Sequence, residues 1–382
     1  MGPLHGIRIL ELAGIGAAPF GCMLLADMGA EVVRVERAGD PSRPSAIDGA
    51  GRKQSDPRRY VPHRGRRSIA LNLKARSGRD ALLRLVERAD VLVEAFRPGV
   101  AERLGIGPDE CLERNPRLVY ARMTGWGQSG PLANTAGHDI NYIAVAGALD
   151  NFRRTGDRPL PPLNVVGDMG GGGMLLAFGI AAALVHVGRT GQGQVIDAAM
   201  VDGAALQLAT TLGMRAQGRW PNPPGANVSD TGAPYYEVYE CSDGRFLAVG
   251  ALEKPFWDEF VARLGLPPDT LPDREDPTQW PDGKRRLAEI LRTRPRDEWT
   301  AVFDGSDACV SPVLSLDEAP HHPHAVARSA FIDVGGTVQP APAPRFSKTP
   351  AAAPTAPPQP GADTEAVLRD WGLTDLVREA TT

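Results

Sequence analysis

The strongest constraint on the fold is the order of strand, turn, helix and strand at the start of the chain. Residues 7–12 form an apolar run typical of a buried strand, and a glycine turn at Gly14 leads into a helix predicted for residues 19–28. Gly29 ends that helix, and residues 31–36 read as a second strand. Two strands joined by a crossover helix lie parallel. The sequence therefore predicts an α/β fold with helices on both faces of a parallel sheet.

This opening partly matches the dinucleotide-binding pattern, in which glycines follow the first strand and an acid comes about 20 residues later. Gly14, Gly16 and Glu36 fit these positions, but Pro19 stands where the third glycine is expected. That glycine normally allows the helix to pack closely beside the pyrophosphate. A nucleotide-binding dehydrogenase is therefore a disfavoured alternative, and a titration that detects no NAD binding excludes it.

Length and local pattern predict two domains. A chain of 382 residues is too long for one small core. Further strand-like runs occur at residues 68–73, 90–96, 118–124 and 194–200. The proline-rich stretch 220–225 predicts a linker. We predict a Rossmann-like large domain over residues 1–220, completed by residues 325–382, and a small α+β domain over residues 225–320.

Several other segments can be interpreted locally. Residues 77–89 read as an amphipathic helix with Ser77 as its N-cap. The apolar run 174–187 is shorter than the roughly 20 residues that a membrane span requires, so it predicts a buried helix. Residues 39–67 read as a surface loop, and residues 336–360 read as an irregular strap over the surface.

Composition argues against several partners and compartments. The formal net charge is −4, which provides no overall field that attracts nucleic acid. The four cysteines are scattered without a CxxC pair, which favours a reducing cytosol over a disulfide framework. We therefore expect a cytoplasmic protein that binds neither nucleic acid nor a membrane.

Basic side chains follow three of the predicted strands. Arg37, Lys74 and Arg97 each lie at or just beyond the carboxyl end of a strand, which is the edge where open parallel sheets bind ligands. Guanidinium and ammonium groups in this position suit a phosphorylated ligand. Taken alone, these residues are also consistent with a solvated, arginine-rich surface.

Two candidate proton carriers lie beside glycines in the middle of the chain. His138 follows Gly137, and Asp168 follows Gly167 and precedes the glycines at 170–173. A histidine and a carboxylate can face one carbon atom from two sides, as reversible proton transfer at carbon requires. Taken alone, Asp168 is also consistent with a helix N-cap, and His138 with an ordinary turn histidine.

Short segments spread over the whole chain point to one family because their order and spacing are specific as a set. They are residues 4–11, 27–36, 68–74, 90–99 (DVLVEAFRPG), 115–120, 137–139, 191–200 and 309–314. In these segments the chain resembles the family III CoA-transferase superfamily and, within it, the α-methylacyl-CoA racemases. The resemblance implies an interlocked homodimer, in which each chain passes through a hole in the other and the site lies between subunits.

The resemblance also implies a ligand, coenzyme A, bound as part of an acyl-CoA substrate. Matching motif positions place it against Ile15, Gly16, Arg37, Leu71, Asn72, Leu73, Lys74, Ala95, Phe96, Arg97, Arg103 and Leu104. The backbone amides of Met169 and Gly170, at the start of a predicted helix, are expected to hold the oxygen of an enolate.

Two branches of the family are implied to use Asp168 differently. Transferases use the matching aspartate as a nucleophile, whereas racemases use it as a base opposite His138. Glu240, after the tyrosines of the small-domain hairpin, matches the racemase pattern as a support for that histidine. We predict a racemase that interconverts (2R)- and (2S)-2-methylacyl-CoA by 1,1-proton transfer, with catalytic His138, Asp168 and Glu240. A CoA-transferase that forms a covalent acyl-Asp168 intermediate is the alternative.

No metal or further cofactor is predicted. His321, His322 and His324 are close in sequence, but Pro323 breaks any helical face that they could share. A similar segment in the family has no metal role. Ser129 does not fit the GxSxG pattern, which disfavours a hydrolase.

Overall fold

The computed structural model describes residues 2–38, 56–267 and 270–376. The strands are β1 (Arg8–Leu12), β2 (Glu31–Arg37), β3 (Arg66–Leu71), β4 (Val91–Glu94), β5 (Val119–Thr124), β6 (Gln194–Ala199), β7 (Glu237–Glu240), β8 (Phe246–Val249), β9 (Val310–Pro312), β10 (Phe331–Val334) and β11 (Thr337–Pro340). The first α-helices are α1 (Ala17–Asp27), α2 (Arg76–Val86), α3 (Val100–Arg103), α4 (Pro108–Arg114), α5 (Asp139–Val145), α6 (Leu175–Thr190) and α7 (Met200–Leu206). The remaining ones are α8 (Ala209–Ala216), α9 (Lys254–Arg263), α10 (Trp280–Leu291), α11 (Arg296–Phe303), α12 (Pro323–Ala327) and α13 (Thr364–Asp370).

A six-stranded parallel sheet forms the centre of the first compact unit, which comprises residues 1–146, 163–207 and 326–382. Its order is β3-β2-β1-β4-β5-β6, the arrangement of a doubly wound nucleotide-binding sheet. One face packs against α2, α4 and α13, and the other packs against α1 and α6. The central strands are buried on both faces, which explains their continuous apolar runs. The predicted parallel α/β sheet is confirmed.

The strand order reverses between β1 and β4, and the loops that follow these two strands meet there. A Cβ atom built on Gly14 lies 3.2 Å from the Cβ atom of Ala95, so the two loops are in contact. In open α/β sheets such a switch point forms a crevice beyond the carboxyl ends of the strands. The residues predicted to contact coenzyme A therefore follow the strands at the edge where open α/β sheets generally bind ligands.

The C-terminal part of the chain returns to the outer strand β3 of the first unit. The Ser68 amide donates to Asp363 Oδ2 at 2.8 Å, and the Ala70 amide donates to Thr364 Oγ1 at 3.2 Å. Trp371, after α13, is buried in the core beside the sheet. The segment predicted as an irregular strap begins differently, since β10 and β11 form an antiparallel hairpin before the irregular stretch.

A buried ionic cluster ties the first three strands to the start of α1. The Glu11 carboxylate accepts from both Arg34 and Arg66. Arg34 also donates to the carbonyl of Gly14 at 3.2 Å, and Arg66 donates to the carbonyl of Pro19. Breaking a buried ion pair of this kind typically costs about 3–5 kcal/mol, so the glycine turn after β1 is held firmly.

The second compact unit comprises residues 147–162 and 208–325. Its antiparallel sheet has the order β7-β8-β9, and the predicted hairpin is formed by β7 and β8. Helices α9, α10 and α11 cover this sheet through an aromatic core. Phe260 and Phe303 stack there with ring centroids 5.4 Å apart.

The boundaries of this unit differ from the predicted ones, because residues 147–162 and 208–220 belong to it rather than to the large domain. Arg154 forms an ion pair with Glu237 at 2.7 Å. A Cβ atom on Gly225 lies 2.4 Å from the Thr155 nitrogen, which shows how closely the two segments approach. The linker signal at residues 220–225 therefore marks a turn inside the unit.

Two local predictions are also corrected. Helix α2 begins at Arg76 with Ala75 as its N-cap, so Ser77 lies inside the helix. Within the described residues, one helical stretch, Val165–Thr190, has 26 residues, and an 18-residue window of it has a mean hydropathy of 1.7, which is enough by length and composition to cross a membrane. The sequence predicts a shorter helix there. Residues 39–55 of the predicted surface loop lie outside the described residues.

Candidate active site

His138 lies immediately before α5 and is its N-cap residue. Its backbone N–H donates to Asn141 Oδ1 at 3.0 Å, and its backbone carbonyl accepts from the Asn141 backbone N–H at 2.8 Å. The preceding residue must be small, since a Cβ atom on Gly137 lies 2.7 Å from the Tyr142 ring. The imidazole is exposed. The main chain of His138 is therefore fixed while its side chain remains accessible to a ligand.

Asp168 lies inside a π-helix, Val165–Met174, that runs directly into α6. The π-helix is rare and occurs frequently at functional sites. The glycines let neighbouring helices approach closely, since a Cβ atom on Gly203 of α7 lies 1.9 Å from the Gly171 oxygen. On the α1 side, a Cβ atom on Gly21 lies 2.8 Å from the Gly173 oxygen. Close backbone packing on two sides therefore fixes the position of Asp168.

The Asp168 carboxylate lies beside the glycine turn that follows β1. A Cβ atom on Gly16 lies 3.3 Å from Asp168 Oδ2, and Asn164 Nδ2 donates to the same oxygen at 3.3 Å. Burial raises the pKa of Asp168 above its ordinary value, and the negative charge of Asp139 raises it further. The Asn164 hydrogen bond and the charge of His138 lower this pKa. A raised pKa shifts a carboxyl toward the range in which it can both accept and return a proton.

Asp139 connects the two candidate proton carriers. It follows His138 in the chain, and its Oδ1 accepts the backbone N–H of Asp168 at 2.7 Å. The structure therefore brings the start of α5 and the π-helix together, as the proton-transfer hypothesis requires. Their placement on opposite faces of one carbon atom stays a prediction.

The Met169 amide does not match its predicted role. Its N–H donates to the Asn164 carbonyl at 3.2 Å, a bond to the fifth residue back that characterises a π-helix. The helix begins at Val165, before the predicted start, so this amide is not free at a helix terminus. A role for the Gly170 amide stays a prediction.

Glu240 lies at the end of β7 in the second compact unit. Its carboxylate forms an ion pair with Arg292, and both side chains are substantially exposed. The predicted support of His138 by Glu240 stays a prediction.

The residues predicted to contact coenzyme A lie along the carboxyl edge of the parallel sheet. Arg37 ends β2 and Leu71 ends β3, and the Ala38 amide donates to the Leu71 carbonyl at 3.2 Å. Asn72 Oδ1 accepts the Lys74 amide at 3.2 Å, which shapes the turn after β3. The other predicted contacts are Ala95, Phe96 and Arg97 after β4, Arg103 and Leu104 around α3, and Ile15 and Gly16 after β1.

The residues predicted to contact coenzyme A divide into partly buried and accessible ones. Leu73, Phe96 and Leu104 pack against the core. In contrast, the cationic side chains of Arg37, Lys74, Arg97 and Arg103 are exposed. Among the described residues, no carboxylate forms an ion pair with any of these four. Cations at a ligand crevice without such pairs suit phosphate groups.

Tyr60 is a site neighbour that the sequence does not single out. Burial raises the pKa of its phenol, Arg34 and Arg66 lower it, and nearby Asp168 raises it. The Tyr60 ring packs edge-on against His63 at 4.6 Å between centroids, and burial lowers the pKa of His63 to about 2. No pattern indicates this, because residues 39–67 read as a polar surface loop.

Two further observations concern metals and missed residues. In the part of the chain that the structure describes, no group of three or more His, Cys, Asp or Glu side chains is placed to hold a metal ion. His322 Nδ1 accepts the His324 amide at 3.3 Å, which is a local turn contact. Asn164 and Asp139 contact Asp168 directly; the sequence marks Asp139 only as a neighbour of His138.

The family model for CoA-transferase family III matches residues 4–364. The chain belongs to this family. It is 44% identical to an alpha-methylacyl-CoA racemase of Mus musculus over 373 residues, which cover 97% of this chain and 93% of the relative. It is 33% identical to an acetyl-CoA:oxalate CoA-transferase of Acetobacter aceti over 347 residues, 89% of this chain and 88% of the relative.

A solved family member shares the architecture of the whole chain. The crystal structure of a CaiB/BaiF family protein from Brucella suis matches with a TM-score of 0.83 and 26% sequence identity. The match covers 97% of this chain and 99% of that one. The mixed α/β fold with its parallel sheet is therefore the fold of family III.

Proposed function

We propose that this family III chain is a racemase that interconverts (2R)- and (2S)-2-methylacyl-CoA thioesters at the α-carbon. One observation carries the proposal: Asp139, directly after His138, accepts the backbone N–H of the half-buried Asp168, whose carboxylate lies beside the glycine turn at Gly16. The identity with the Mus musculus racemase, 44%, exceeds the 33% identity with the Acetobacter aceti transferase and supports an isomerase.

The reaction transfers one proton to and from the α-carbon. In one direction, Asp168 removes the α-proton from one face of the carbon, and the resulting enolate receives a proton from His138 on the other face. The raised pKa of Asp168 suits this exchange, because an effective general acid or base has a pKa near the working pH. Each such group typically contributes about 10²–10⁴-fold in rate. Glu240 is proposed to orient the imidazole and raise its basicity.

Coenzyme A is proposed to bind along the carboxyl edge of the sheet. Arg37, Lys74, Arg97 and Arg103 supply positive charge for its phosphates, because their side chains are exposed. The turn at Ile15 and Gly16 follows the pantetheine toward Asp168, since Gly16 is the glycine beside that carboxylate. The CoA belongs to the substrate, and we propose no metal or redox cofactor.

The assembly is proposed to be an interlocked homodimer in the cytoplasm. Helix α6 supports it: Phe178 is 71% exposed and Val185 is 54% exposed on a face opposite the one that packs against the sheet. A second copy of the chain that covers this face would remove this apolar surface from water. We propose this occupant instead of a membrane because the family resemblance implies an interlocked dimer.

The alternative is a CoA-transferase that acts through a covalent acyl-Asp168 intermediate, which the Acetobacter aceti relative favours. Incubation of the protein with a single epimer of a 2-methylacyl-CoA in D₂O distinguishes the two. A racemase replaces the α-proton with deuterium and produces the other epimer without any acid acceptor, as followed by NMR. Absence of exchange, together with an acyl-Asp168 that hydroxylamine traps, would establish the transferase instead.

A further inference from the structure

Asp139 is a buried carboxylate at the site to which the proposed proton transfer assigns no role. It is the first residue of α5, directly after His138, and it is only 7% exposed. Its Oδ1 accepts the Asp168 backbone N–H at 2.7 Å. Hydrogen bonds from backbone amides to an ionised carboxylate are roughly twice as strong as neutral ones. This contact therefore holds the π-helix against the start of α5.

The surroundings of Asp139 are shaped for this one contact. A Cβ atom on Gly167 lies 2.5 Å from Asp139 Oδ1 and 3.2 Å from Ile143 Cγ2, so only glycine fits there without displacing the carboxylate. The second oxygen, Oδ2, is buried and has no hydrogen-bond partner among the described residues. A buried oxygen without a partner is costly. The contact with Asp168 is the one described hydrogen bond of the Asp139 side chain.

We propose that Asp139 is a positioning residue that sets the distance and orientation between Asp168 and His138. The proposal rests on the racemase function above. Asp139 is joined to His138 through the chain and to the Asp168 backbone through its carboxylate, so it links the main chains that carry the two side chains. Misplacement of a reacting group by about 1 Å can cost about 10²-fold in rate, which makes such a tether important.

Asp139 also acts on Asp168 through its charge. Burial raises the pKa of Asp168 first, and Asp139 raises it further, while the Asn164 hydrogen bond and His138 lower it. Burial raises the pKa of Tyr60 and of Tyr142, and the charge of Asp168 raises both further. Arg34 and Arg66 lower the pKa of Tyr60, and Arg97 lowers that of Tyr142. Helices α1 and α7 face the π-helix with small or apolar residues. These are Ala17, Phe20, Gly21, Met200, Gly203 and Ala204.

The test compares Asp139→Asn with Asp139→Ala in the full-length chain. Asn keeps an oxygen acceptor for the Asp168 amide and removes the charge, whereas Ala removes both. We expect Asp139→Asn to move the acid limb of the exchange-rate profile to lower pH, because the pKa of Asp168 falls. Asp139→Ala should lower kcat by about 10²-fold in both directions with little change in KM. Asp109→Asn, an exposed aspartate in the first turn of α4, is the control.

A second readout is independent of the reaction. Hydrogen exchange of the Asp168 amide should accelerate on the order of tenfold in Asp139→Ala and much less in Asp139→Asn, since only Ala removes the acceptor. Gly167→Ala, which displaces the Asp139 carboxylate sterically, should behave like Asp139→Ala.

Unchanged exchange of the Asp168 amide in Asp139→Ala would overturn the positioning role of Asp139. An unmoved pH profile in Asp139→Asn would overturn the effect of the Asp139 charge on Asp168. Absence of α-proton exchange in the wild type would overturn the racemase function, while amide exchange and carbon-13 titration of the Asp168 carboxyl still decide the role of Asp139.

Discussion

His138 and Asp168 are held in different ways, and this makes them chemically unequal. Asp168 is half-buried beside Gly16, and its pKa is raised by burial. The imidazole of His138 is exposed, and only its main chain is fixed by Asn141. The two directions of the proposed reaction therefore begin with different bases, and single substitutions should affect them differently.

The first prediction separates the two bases. His138→Ala should reduce α-proton exchange by about 10²–10⁴-fold for the epimer whose proton His138 removes, because that epimer loses its general base. Exchange from the other epimer should persist, since Asp168 still removes its proton. Deuterium incorporation from each pure epimer, followed by NMR, measures both rates. His5→Ala, at an exposed turn histidine, is the control. Equal residual exchange from both epimers would argue against two opposed bases.

The second prediction concerns pH. Asn164 donates to Asp168 Oδ2, and this hydrogen bond lowers the pKa of that carboxyl. Asn164→Ala should therefore raise the Asp168 pKa, so ionised Asp168 appears only at higher pH. The acid limb of kcat/KM for the epimer that Asp168 deprotonates should move to higher pH, the opposite direction from Asp139→Asn. Asn151→Ala removes a side-chain amide that donates an exposed hydrogen bond to the Gly147 carbonyl. This variant should leave the pH profile of kcat/KM unchanged.

The sequence predicts His138 and Asp168 as candidate proton carriers but does not show how they are connected. A histidine and an aspartate beside glycines are visible in the chain, and the family resemblance gives them roles. The hydrogen bond from the Asp168 backbone N–H to the Asp139 carboxylate depends on packing between distant segments, which no local pattern encodes. Tyr60 was missed for the same reason, because a polar loop gives no sign of which side chain turns inward.

At the scale of elements, the π-helix is the feature that positions Asp168. Its glycines allow α1 and α7 to approach within backbone contact. The sequence predicts a helix start at Met169 and Gly170, because glycines weaken a helix interior. The structure shows a helix that begins earlier, at Val165, because tertiary packing compensates for the low helix propensity of glycine. The same packing should make these glycines intolerant of substitution.

The third prediction tests this packing with two helical glycines. Gly203→Ala places a Cβ atom 1.9 Å from the Gly171 oxygen, so α7 must move away from the π-helix. Overpacking typically costs about 1–3 kcal/mol, and a backbone clash should lie at the upper end of that range. Gly213→Ala in α8 meets nothing within 4 Å and should stabilise the helix by about 0.5–1 kcal/mol. Chemical denaturation measures both. Similar stabilities for the two variants would contradict the packing role.

At the scale of the whole chain, the parallel sheet could be predicted while the unit boundaries could not. Apolar runs separated by helices specify parallel strands, and the order β3-β2-β1-β4-β5-β6 follows a common winding. Residues 147–162 were assigned to the large domain because they precede the linker signal. They belong to the second unit because Arg154 pairs with Glu237 there, a contact between residues far apart in sequence.

The last prediction concerns the exposed face of α6. Leu176, Ile180 and Val187 pack against the sheet, whereas Phe178 and Val185 point away from it and are exposed. If a second copy covers this face, Phe178→Glu should weaken the dimer. Loss of one buried apolar side chain costs about 1.5–3 kcal/mol, which corresponds to about tenfold to 100-fold in Kd. Sedimentation velocity over a concentration series measures the change.

The matched control for this variant is Leu316→Glu, which changes an equally apolar side chain that is 93% exposed in the second unit. Its sedimentation should equal that of the wild type, because an isolated exposed leucine contributes little to assembly. A wild-type chain that sediments as a monomer at all concentrations would contradict the homodimer. Binding of the wild type to lipid vesicles, abolished by Phe178→Glu, would instead identify a membrane as the occupant of this face. A concentration-dependent dimer that Phe178→Glu alone dissociates would identify the α6 face as part of the dimer interface.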